Sequence, residues 1–211
     1  MKIRTSRIAG TMLVLTAAFA LAAAPALARN ATFHAATSPV QDAAARSTYP
    51  GLNVTGSATL TVSGDILTAH VIASGLTPNL PHVMHIHGTV GAQNDCPSPV
   101  SAFDTNHDGL LNTAEGLPAY GPIDVTFSTT GSTTPAAALT LSAAPMASAA
   151  GTIDYTRTFQ IPGKIAAHIS DLHVVIHGAD LNADGSYDGP DGSFAGVPLE
   201  AEIPVSCGAI N

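Results

Sequence analysis

Basic residues are scarce. The 211-residue chain has seven lysines and arginines against fifteen acids, a formal net charge of −8. Three of the seven, Lys2, Arg4 and Arg7, sit in the first seven positions, leaving Arg29, Arg46, Arg157 and Lys164 for the rest. Nothing in that remainder could neutralise a run of phosphates, which argues against nucleic acid and against an anionic membrane surface as partners. Metal cations suit the charge. The chain also lacks any late apolar run long enough to span a bilayer. The early one, Met12 to Ala24, is shorter than the roughly 20 residues a bilayer requires. With its basic start and the small-x-small pattern Pro25-Ala26-Leu27-Ala28, it reads as a secretory signal peptide over residues 1–28. The expected product is secreted, periplasmic or otherwise extracellular, with no membrane span. Removing 28 of the 211 residues leaves 183 and takes the charge from −8 to −11. That length is enough for one domain with its own core. Nothing in the sequence speaks to oligomeric state.

Cysteine is nearly absent. Cys96 and Cys207 are the two present, with no close C-x-x-C spacing of the kind zinc sites favour. In an oxidising compartment such a lone pair reads as one disulfide, the alternative being two metal-binding thiols. The bridge would close a loop of about 110 residues, worth roughly 4–5 kcal/mol in the chain-entropy model.

Helical periodicity is weak throughout, and residues 133–150, though rich in alanine, are interrupted by Pro135 and Pro145. Residues 29–50 carry no apolar period and read as a disordered lead-in, so the domain is expected over 51–211. From there the pattern has a period of two. Ala58, Leu60 and Val62 alternate with Thr59, Thr61 and Ser63, as in a half-buried strand. Further strands are expected at 66–74, 82–87, 123–128, 152–160, 172–177 and 200–205. Many short strands between Gly/Pro turns indicate an all-β barrel or sandwich.

Two of these strands carry more than one histidine. In His82-Val83-Met84-His85-Ile86-His87 the side chains alternate between faces. His85 and His87 therefore share one face, about 6.5–7 Å apart along the strand, a spacing that lets both ligate one transition metal. Met84 and Ile86 turn to the core. In Leu172-His173-Val174-Val175-Ile176-His177 the even-numbered apolar residues face the core, and His177 can complete a three-histidine site if the strands are neighbours. His173 is too far along to join it and reads as a surface histidine. His70 is a candidate fourth ligand.

Two acidic loops follow these strands. Asp104, Asn106, Asp108, Asn112 and Glu115 occupy positions 1, 3, 5, 9 and 12 of an EF-hand-type calcium loop, with Gly109 at position 6. Asp180, Asn182, Asp184, Asp188 and Asp191, with Gly185, repeat the pattern. Without flanking helices, the second is a calcium loop on a β scaffold. Calcium takes hard oxygen ligands, and this spacing wraps them around one ion.

The segment from Gly75-Leu76-Thr77-Pro78 to His82-Val83-Met84-His85-Ile86-His87 is similar to the G-L-T-x-G-x-H-G-F-H-x-H stretch of copper/zinc superoxide dismutases. Val175-Ile176-His177 with Asp180 resembles that family's V-V-H or M-I-H strand end, and Cys207-Gly208-Ala209-Ile210 its terminal C-G-x-I. The resemblance covers roughly residues 52–100 and 150–211. It implies a Greek-key β-barrel with long metal-binding loops, copper on His85, His87 and His177, a structural role for His82, and a Cys96–Cys207 disulfide. There are departures. Between Cys96 and Gly151 only His107 is available where the family has a bridging histidine and further zinc ligands. Pro204 stands where the family has an arginine that guides superoxide. These gaps argue against a zinc site. Two readings follow: a secreted copper-only dismutase converting two superoxide ions to O2 and H2O2, or a non-catalytic secreted calcium- and copper-binding β module. The latter would be copper-buffering or akin to the CHRD domain, which shares an H-I-H-G strand.

Overall fold

A computed structural model describes residues 30–211, so the expected signal peptide lies outside the described residues. Eight strands dominate it: β1 (Ala31–Pro39), β2 (Thr55–Ser63), β3 (Ile66–Ser74), β4 (Met84–His87), β5 (Ile123–Thr126), β6 (Thr152–Gln160), β7 (His173–His177) and β8 (Pro204–Ala209). They form one antiparallel sheet in the order β5-β4-β7-β8-β1-β2-β3-β6. Strand β1 joins its two halves. Its first seven residues pair with β2, while Ser38 and Pro39 pair with Cys207 and Ser206 of β8. The sheet curls on itself, as in a barrel or sandwich. No backbone pairing joins its edge strands, but side chains of β6 reach the segment after β5. Tyr155 Oη donates to the Ser128 carbonyl at 3.1 Å, and the Arg157 guanidinium to the carbonyls of Ser128 and Gly131, both at 2.7 Å.

The domain starts earlier than the sequence indicates. Residues 31–39, expected to be disordered, form a nine-residue strand, and Ala43–Thr48 form a short helix, α1. The inward positions of β1 are Phe33, Ala35 and Thr37. Two are small or polar, so the alternation is real but leaves little apolar signal. The expected strand at 200–205 is also displaced: Leu199–Glu202 is one helical turn, and β8 begins only at Pro204. Glu200, Ala201 and Glu202 are all buried there. A strand would have put the two glutamates and the alanine on opposite faces.

The concave side of the sheet holds the main core, in which Leu60, Leu67, Met84, Ile86, Val174 and Ile176 pack together. The convex face of β4, β7 and β8 is not open to water. The long connection after β4 folds over it, and its Val100, Leu111 and Tyr120 make a second, smaller core with Val40, Val175 and Cys207. A disulfide joins Cys96 in that connection to Cys207 on β8, with Cα atoms 5.8 Å apart. Helix α2 (Thr113–Tyr120) belongs to the same cover. Asn112 accepts the Glu115 N–H and Glu115 accepts that of Asn112, a reciprocal cap at its N-terminus. Among the described residues no helix is long and apolar enough to cross a membrane.

Candidate metal centre

Strands β4 and β7 are neighbours, with Met84 opposite Ile176 and His87 opposite His173. Pairing and alternation put His85, His87 and His177 on the convex face, beneath the covering loops. Their ring centroids lie 5.1–5.6 Å apart. One nitrogen from each comes within 4.8 Å of the other two. All three are buried, at 0–1% exposure.

Each ring is held by a backbone carbonyl from a different connection. His85 Nε2 lies 3.0 Å from the Ala138 oxygen, His87 Nδ1 2.9 Å from that of Gly121, and His177 Nδ1 2.7 Å from that of Glu202. A carbonyl only accepts, so these nitrogens carry the protons and donate. The lone pairs of the neutral rings then reside on His85 Nδ1, His87 Nε2 and His177 Nε2. Those three atoms are buried and have no hydrogen-bond partner. Burying an unsatisfied polar atom costs about 1–3 kcal/mol, and three converging in one place form a preorganised tridentate nitrogen site. Burial keeps the rings neutral. Desolvation lowers His87 to about 3 and His177 to about 4, and drives His85 well below the usual imidazole range, with the neighbouring rings of His177 and His87 adding to it. The site thus has the residues and protonation state that a transition metal with imidazole ligands requires.

The surroundings were not visible in the sequence. Gly121 adopts φ 80°, and a Cβ there would come within 2.7 Å of the Gly88 backbone, so glycine lets this carbonyl reach His87. Tyr120 packs edge-on against His87 at 4.6 Å, and its hydroxyl donates to the Thr113 carbonyl. The Thr113 hydroxyl donates to the same Glu202 carbonyl that holds His177. The Glu202 carboxyl is buried. One oxygen accepts the Ser193 N–H, the other has no partner, and desolvation raises its pKa. A cavity of about 400 Å³ adjoins these groups, bounded by Thr113, Leu117, Ile123, Ala138, Leu139 and Phe194, and no charged side chain lines it.

His82, just before β4, is fully buried. Its two nitrogens face the carbonyls of His177 and Thr77, both at 3.1 Å, so it ties the turn before β4 to the end of β7. His70 is not near the triad; it is partly exposed on β3 beside Asp154, at 3.0 Å. His173 is not a surface residue: the connection holding Asp95 and Cys96 covers it, leaving 4% exposed.

The two acidic loops share one hydrogen-bond plan. In each, the residue at position 6 donates its N–H to the aspartate at position 1, at 3.0 Å for Gly109 to Asp104 and 2.8 Å for Gly185 to Asp180. In each, the residue at position 5 donates to the asparagine at position 3, and the residue at position 4 has φ near +60°. In the first loop Glu115 accepts the N–H groups of Thr105 and Asn112, positions 2 and 9. In the second, the carboxylate accepting at positions 2 and 9, from Leu181 and Asp188, is Glu200 of the short helix 199–202. Asp191, assigned to position 12 by spacing, instead accepts the Gly196 N–H. A sequence count cannot find Glu200, which lies nine residues beyond the expected ligand. One oxygen of Asp104 is buried without a partner.

No protein-family model matches the chain, and no curated protein matches it either.

Proposed function

We propose that this chain is an exported metalloprotein of the copper/zinc superoxide dismutase type, with a Greek-key barrel, copper on His85, His87 and His177, and without that family's bridging-histidine zinc site. The observation that carries the reading is the convergence of three buried, partnerless imidazole nitrogens. The similarity of the His82–His87, Val175–His177 and Cys207–Ile210 segments to that family supports it, as does the Cys96–Cys207 bridge, which also suits an oxidising compartment. Copper there would supply one-electron redox chemistry, by which one superoxide is oxidised to O2 and a second, with two protons, is reduced to H2O2. The protein's part is to keep three neutral rings aligned through the Ala138, Gly121 and Glu202 carbonyls and to exclude bulk water. A non-catalytic copper-binding module is the second reading. It is favoured by the adjoining cavity, where no cation stands to draw in an anion.

Purified mature protein should bind one copper per chain and consume superoxide in proportion to its copper. His177→Ala should weaken copper binding by roughly 100-fold or more, beyond the usual cost of losing a supporting residue. Stoichiometric copper without superoxide consumption would favour the non-catalytic reading. Copper retained at wild-type affinity by both His177→Ala and His85→Ala would remove the site.

The two acidic loops are proposed as calcium sites, the first supported by the buried, partnerless oxygen of Asp104. Calcium at one hundred times its Kd should stabilise the fold by about 2.7 kcal/mol per site. The melting temperature of chelator-treated protein should therefore rise on adding calcium, and Asp104→Ala and Asp180→Ala should each lose part of the rise. An unchanged melting curve would make these loops ordinary acidic turns.

A further inference from the structure

Beyond the triad, we propose that the chain holds a second, shallower transition-metal ion, a divalent one such as Zn2+ or Cu2+, between His173 and Asp95. The two side chains belong to different elements that the fold brings together. His173 opens β7, paired with His87 on one side and Ala209 on the other. Asp95 lies in the connection after β4, anchored by its own N–H to the Ala119 carbonyl and by a carboxylate oxygen that accepts the Cys96 N–H at 2.7 Å. One ligand atom each from Asp95, Cys96 and His173 falls within 4.8 Å of the other two.

Two observations point to a ligand here. His173 is only 4% exposed, yet its Nδ1 is buried without a hydrogen-bond partner. A ring nitrogen of His173 also lies within 4.8 Å of a carboxylate oxygen of Asp95, a spacing at which both could ligate one ion. In addition, the pair lines a cavity of about 570 Å³, so an ion can enter and keep water ligands. Asp171 lines the same cavity, with one carboxylate oxygen taken by the Gly91 N–H. Together with Asp95 it makes the cavity acidic.

The donor set decides which ion. Cys96 is bridged to Cys207 and offers no thiolate, which leaves one imidazole nitrogen, one carboxylate oxygen and water. Calcium and magnesium prefer oxygen alone, whereas zinc and copper(II) accept the mixed set. Two protein ligands in a wet cavity bind more weakly than three in the buried triad. The two sites should therefore fill in sequence.

The test is a zinc titration, followed calorimetrically, of metal-free, disulfide-intact protein in buffer containing millimolar calcium to occupy the acidic loops. The wild type should take two zinc ions per chain, one tight and one weak. Asp95→Asn, an isosteric change on an exposed side chain, should weaken the second ion at least tenfold and leave the first unchanged. His173→Gln should do the same. The double variant His85→Ala/His177→Ala should keep the weak ion alone, which separates this site from the triad. The proposal is overturned if the wild type takes no weak ion, or if Asp95→Asn binds it as the wild type does. If the triad takes no metal, a single weak ion abolished by Asp95→Asn still supports the second site.

Discussion

Metal-free protein brought from pH 6.5 to pH 4.5 should lose about 5 kcal/mol of stability. His87 and His177 are neutral when folded because burial lowers them to about 3 and 4. In the unfolded chain each returns to about 6.5. Below pH 6.5 the unfolded state therefore binds protons that the folded state refuses, and stability falls as pH falls. The slope is about 1.4 kcal/mol per pH unit for each histidine, until the folded pKa is reached. His85, shifted the same way, steepens the loss. Glu202 opposes it, since its carboxyl is raised by burial and takes up a proton more readily folded than unfolded. Burial lowers His82 and His173 in the same sense as the triad and raises Asp124 in the same sense as Glu202. A loss of this size is comparable with the whole stability of an ordinary domain. Urea midpoints at pH 7.0, 5.5 and 4.5 measure it. Equal midpoints would mean that the rings are not held neutral in a dry site.

Removing the disulfide should be the next largest effect. Cys96 and Cys207 are 111 residues apart in sequence, and releasing a loop of that length returns roughly 4–5 kcal/mol of entropy to the unfolded chain. For a domain of this size the melting temperature should drop by roughly 10–20 °C. Cys96→Ser/Cys207→Ser tests this without leaving a free thiol. The bridge also pins the connection that covers the convex face, so the double variant should bind copper more weakly at the triad. A loss under about 1 kcal/mol would show that Val100, Leu111 and Tyr120 hold the cover in place unaided.

Strands with strong side chains were legible in the sequence. The bounds expected for β3 and β6 agree with those observed, because Leu67, Ala69, Val71 and Ala73 in the one and Ile153 and Tyr155 in the other mark alternate positions. The histidine triad was legible for the same reason: alternation fixes the face, and facing strands do the rest. Strand β1 was not, because Ala35 and Thr37 fill its inward places with little apolar area. The cover over the convex face was hidden too. Its anchors Val100, Leu111 and Tyr120 are isolated in polar stretches, and only the fold shows that they meet. His173 therefore looked like a surface residue. The carbonyls that set the imidazole tautomers leave no mark in a sequence at all, since every residue has one. Glu200 illustrates a different limit: it serves the second acidic loop from a separate helix, and spacing rules work only within a continuous segment.

The three carbonyls that grip the triad come from connections that are otherwise independent: the end of α2, the segment after β5, and the turn before β8. If one connection loosens, one imidazole N–H loses its tether, and the ring can rotate or change tautomer. A paramagnetic ion at the centre would thus be a strain gauge with three arms. Its ligand-field spectrum would register that an arm had slackened while the ion stayed bound, and so would separate fraying of one loop from global unfolding in a single measurement.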